Sequence, residues 1–102
     1  MRIDINAIKN FKTLHVSERL LFLLFTIAGN DGAFRCRISD LADRAGTTER
    51  TAKTYLKNFT ENDMLKVKYS GTGRINPNFY YSGELSKFAD VRKEYADFKS
   101  DI

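Results

Sequence analysis

The spacing of apolar residues changes along the chain from steps of three and four to strict alternation and back, and the changes mark its elements. Met1–Ile5 alternates and predicts a short strand with Ile3 and Ile5 inward; Ala7, Ile8 and Phe11 then predict one or two helical turns. From Leu20 to Ile27 apolar residues follow almost without a break, the mark of a central helix covered from several sides. Ser17 is the expected N-cap of that helix, with Glu18 in its first turn, and Gly29 to Gly32 end it in a turn. Phe34, Cys36 and Ile38 alternate with Arg35 and Arg37, predicting a five-residue strand with the arginines outward.

Next come two helices. Ser39 is expected to cap the first, Leu41, Ala42 and Ala45 form its apolar side, and Gly46 stops it. Thr48 is expected to cap the second, whose Ala52, Tyr55, Leu56 and Phe59 face a core while Arg50, Lys53, Thr54 and Lys57 lie on the opposite side. Asn62 and Asp63 close it without a glycine. Residues 65–70 alternate again, with Leu65, Val67 and Tyr69 on one face and Lys66 and Lys68 on the other. A Gly71–Gly73 turn follows, then a returning strand over 74–81, bent or placed at an edge by Pro77. After a hinge at 82–84, residues 85–102 read as a helix with Ser86 as cap. Its Phe88, Val91, Tyr95, Phe98 and Ile102 fall on an a/d seam of about two heptads. That seam can fold back on the chain's own core or pair with a second copy; pairing as a homodimer is the expectation.

The pattern predicts a mainly α fold with a small β-hairpin (α+β): a winged helix-turn-helix with an extra C-terminal helix. The expected division is an N-terminal arm over 1–16, the winged domain over 17–83 and the amphipathic helix over 84–102. A short helix, a glycine turn and a core-anchored second helix with a cationic outer face suit entry into a DNA major groove. The lysine-bearing hairpin behind them reads as a wing lying on phosphates. A solvated basic helix face and a plain edge sheet predict the same elements without contacts.

Charge strengthens the first reading by its distribution. The net charge of +4 is modest, but residues 44–74 hold seven basic and three acidic residues, an excess that neither flank has. The basic N-terminal Arg2, Lys9 and Lys12 add an arm that can lie on a backbone. A hydrophobic fraction of 42% is enough for one packed domain. With a single cysteine, Cys36, one chain forms no internal disulfide and no thiolate zinc site, and a reducing cytoplasm is the simplest setting. No signal peptide or bilayer-length apolar run is visible.

An enzyme is not expected. His15 is the only histidine, which leaves no paired-histidine metal site. No GxxxxGK[ST] phosphate loop occurs. No cofactor or metal is expected.

The run TTERTAKTYLKNFTENDML, the leucine-rich helix after Ser17 and the wing ending GRINPNFYYSG together resemble the winged helix-turn-helix domain of Gram-positive plasmid replication proteins and related phage DNA-binding proteins. The INPN strand end is its most distinctive part. The resemblance covers Ser17 to Gly83 and implies a recognition helix over Thr48 to Lys57 and a wing over Lys66 to Arg74. It places Thr51 nearest a phosphate and Arg50, Lys53 and Thr54 nearest base edges. Family members often carry glycine where this chain has Asp63. The function it implies is sequence-specific binding of double-stranded DNA in control of transcription or replication of a plasmid or phage. An alternative of another class is a winged-helix module docking on a host replication or transcription protein through the seam and the aromatic Tyr80 and Tyr81.

Overall fold

The computed structural model describes residues 15–102; the predicted N-terminal strand and basic arm lie outside the described residues. Helix α1 spans Val16–Ile27 and buries Leu20, Leu23 and Leu24 completely. Its N-cap is His15, not Ser17. The imidazole Nδ1 accepts from the Ser17 amide at 3.2 Å, and Glu18 accepts from the His15 amide at 3.3 Å, so a ring nitrogen performs the task expected of a hydroxyl. The same ring meets Tyr55 edge-on at 5.5 Å, tying the start of α1 to a later helix.

Strand β1 is shorter than its alternation suggested, Ala33–Arg35. The chain leaves the strand at Cys36 and Arg37, and helix α2, Ile38–Ala45, begins one residue before the expected cap Ser39, with no side-chain cap at Arg37. Ile38 is buried in either reading, since an apolar residue at a boundary satisfies both periods. Gly46 ends α2 in the left-handed conformation, φ 70°. Helix α3, Glu49–Glu61, buries Ala52, Leu56 and Phe59 against α1 and α2.

Strands β2, Leu65–Val67, and β3, Thr72–Ile75, form the hairpin, and the antiparallel sheet runs β1-β3-β2. Leu65, Val67 and Ile75 turn one face of it into the core. The turn between β2 and β3 needs Gly71: its φ is 94°, its carbonyl accepts from the Cys36 amide at 3.1 Å, and a Cβ there would overlap the Cys36 carbonyl.

The return strand stops at Ile75. Asn76, buried, accepts from the Asn78 amide at 2.9 Å through its side-chain oxygen and donates to the Asp63 carbonyl at 2.8 Å through its amide nitrogen. Its own carbonyl takes the Phe79 and Tyr80 amides. The INPN segment is therefore a braced turn, and residues 79–81 are not a strand. Tyr80 stacks on Phe25 at 4.3 Å.

The C-terminal helix is also shorter than expected. A 3-10 turn over Leu85–Lys87 precedes α4, Phe88–Asp97, and residues 98–102 have no regular structure. Ser86 makes no capping bond. Val91 and Tyr95 are buried within the monomer at 7% exposure each, Phe88 packs on Tyr81, and Ile102 lies at the margin of the core. The predicted two-heptad seam is thus broken at Phe98, and its helical part packs within the monomer, Phe88 on Tyr81 and Tyr95 against Asp63 and Lys66. Steps of three and four mark an apolar face without saying what covers it.

Candidate nucleic-acid interface

Helix α3 presents its outer face as the spacing required. Thr48 caps it, accepting from the Thr51 amide at 3.2 Å, and its hydroxyl donates to that of Thr51 at 2.9 Å. Those two hydroxyls brace the first turn, and Thr51 is half-buried. Arg50, Lys53, Thr54 and Lys57 are all exposed. Lys53 pairs with Glu49 at 3.3 Å across one helical turn, a surface pair that contributes little and is easily exchanged for another anion. The Thr54 hydroxyl donates back to the Arg50 carbonyl at 3.1 Å and keeps its lone pairs outward.

The hairpin differs from the expected wing. Lys66 and Arg74 do not stand on an open sheet face, because α4 lies over it, whereas Lys68, just past the end of β2, is exposed. Lys66 and Arg74 are register partners and point the same way. The Lys66 ammonium donates to the carbonyls of Tyr95 and Ala96 at 2.9 and 3.2 Å and lies over the Tyr95 ring. A cation there complements the carbonyls at the end of α4, of which that of Tyr95 also takes the Phe98 amide at 3.2 Å. Arg74 pairs with Glu94 at 2.9 Å and approaches Asp31 at 3.9 Å; it is half-buried and lies well back from the hairpin tip. Lys68 sits over the Phe98 ring at 5.2 Å. The strand period placed Lys66 and Arg74 on one face, but it could not show that a distant helix lay on that face.

Beyond Phe98 the chain follows the free edge of β2. The Ser100 hydroxyl accepts from the Val67 amide at 3.2 Å and donates to the Val67 carbonyl; the Asp101 carboxylate takes the Tyr69 amide at 2.6 Å. An open strand edge is thereby covered.

Compared with known families, residues 9–102 match the model of a Firmicute plasmid replication protein family (RepL). The chain belongs to this family. No curated protein and no solved structure matches it. The match extends through α4, so the C-terminal helix, which the sequence resemblance left unmatched, lies within the RepL region.

This RepL chain also gathers charges that the sequence pattern gave no reason to associate. Arg35, at the end of β1, Arg37, before α2, and Arg44, in the last turn of α2, line one open cleft of about 440 Å³ together with Asp40, Cys36 and Ser70 of the hairpin tip. All three arginines are exposed, and none is ion-paired among the described residues. Arg37 and Arg44 are seven apart, two helical turns, which is the one signal that could have joined them. Burial pushes the Cys36 thiol up, with Asp40 adding to the rise and Arg44 opposing it, so the thiol stays uncharged near neutral pH.

Among the described residues no helix is long and apolar enough to cross a membrane.

Proposed function

We propose that this RepL-family protein binds double-stranded plasmid DNA sequence-specifically and controls replication by occupying an origin or operator, without chemistry of its own. The reading rests on one observation: Arg50, Lys53, Thr54 and Lys57 form an exposed polar face on a helix whose other side is fixed in the core. A helix held so rigidly can enter a major groove without reorganising. Arg50, exposed and in the first turn, suits bidentate pairing with guanine, and Lys53 and Thr54 lie one turn further along the same face. Family membership in plasmid replication supports a DNA partner.

Docking on a host protein through Tyr80 and Tyr81 has less support. Both rings are half-buried, one stacked on Phe25 and the other against Phe88. Homodimerisation through the C-terminal seam also has less support, since Val91 and Tyr95 are buried within one chain and Phe88 packs on Tyr81.

The test is selection of bound fragments from a plasmid-derived duplex pool, followed by binding measurements at two salt concentrations. Recovery of a discrete sequence, with affinity that falls steeply as salt rises, is expected. No duplex binding even at low salt contradicts the reading.

A further inference from the structure

We propose that the cleft between β1, α2 and the hairpin tip is a second DNA-contact site, in which Arg35, Arg37 and Arg44 hold phosphodiester groups of the duplex beside the bases met by α3. This rests on the duplex reading above. Three features carry it. Arg35, Arg37 and Arg44 line one concave surface of about 440 Å³ together with Ser70, and guanidinium and hydroxyl groups are the donors a phosphate oxygen accepts from. None of them is ion-paired among the described residues, whereas Lys66 and Arg74 of the expected wing are held by α4. The cleft also runs along α2, the helix directly preceding the turn into α3, with Arg37 at one end and Arg44 at the other. A backbone held there is fixed relative to α3, because α2 and α3 are joined by a short turn at Gly46 and packed together in one core. Asp40 opposes anion binding from within the same cleft, leaving three positive charges against one negative.

The experiment measures affinity of the full chain for its selected duplex and for random duplex over a range of salt. The triple variant Arg35→Ala, Arg37→Ala, Arg44→Ala is compared with wild type and with Arg92→Ala, Lys93→Ala, which removes two cations of α4 outside the cleft. The triple variant is expected to lose affinity for both duplexes alike and to lower the slope of log K against log salt by about 2 to 3, since each phosphate contact contributes about 0.9. Asp40→Asn is expected to tighten both by roughly two- to fivefold. An unchanged slope in the triple variant, or an equal fall in the α4 control, overturns the site while leaving the duplex reading intact. A second measurement separates the two in the other direction: inorganic phosphate is titrated into the wild type and the arginine Nε–Hε resonances are followed. Selective shifts at Arg35, Arg37 and Arg44 support an anion site there even if the wild type fails to bind duplex; shifts spread over all arginines count against it. Circular dichroism melts of the variants confirm that the fold is kept, as exposed and unpaired side chains predict.

Discussion

Asp63 carries a cost that the rest of the molecule offsets. It holds φ 55°, a left-handed conformation unusual for a non-glycine residue, at the point where α3 ends and the chain turns into β2. Tyr95 donates its phenol to the Asp63 carboxylate at 2.7 Å, and the Asn76 side chain bonds the Asp63 carbonyl. The Asp63 carboxylate thus anchors α4 to the end of α3. Burial first, then this hydrogen bond and the Asp63 charge, push the Tyr95 phenol well above its ordinary value of 10.0. Because the folded value is raised, the associated stability is complete below about pH 10 and is lost as pH rises from there through the folded value. Tyr95→Phe is expected to lose about 1–2 kcal/mol at pH 8 by urea unfolding, with a smaller gap from wild type at pH 11. A gap that stays constant between the two pH values removes the phenol–carboxylate bond from the account.

At the scale of elements, the hairpin is held from two sides. Gly71 seats its tip against Cys36, and residues 98–101 cover the outer edge of β2. Gly71→Ala is expected to destabilise by more than about 2 kcal/mol, combining a positive φ with overlap against backbone. Deleting residues 98–102 is expected to lower the melting temperature while leaving the molecular mass in solution unchanged, as sedimentation would report. A change of oligomeric state on deletion would restore the pairing role that the seam's spacing suggested. These elements also show what sequence can and cannot carry. The core of α1, α2 and α3 was legible because burial there follows each helix's own period: Leu20, Leu24, Ala45, Ala52, Leu56. The outer face of α3 was legible for the same reason, as the complement of its buried side. The wing was half legible. Lys66 and Arg74 lie on the expected face, but their partners Tyr95, Ala96 and Glu94 are 20 or more residues away, and nothing in a strand's alternation encodes what arrives from that distance. The arginine cleft was hidden for a related reason, since it joins β1, α2 and a hairpin tip that only the fold brings together.

Over the whole molecule, the charges divide by what they touch. Lys66 and Arg74 on the sheet's outer face are taken up by α4, whereas the side chains on the outer face of α3 and in the α2 cleft are exposed. The exposed cations of α3 and of the α2 cleft thus lie on neighbouring elements, while Arg92 and Lys93 stand apart on α4. The most direct measurement of the central claim is the affinity of wild type and Arg50→Ala for the selected site and for random duplex at one salt concentration. The predicted result is a loss of about 1–3 kcal/mol on the selected site, with little change on random duplex, so that the specificity ratio falls. Equal losses on both duplexes, or no loss on either, would contradict the assignment of α3 as the element that reads the sequence.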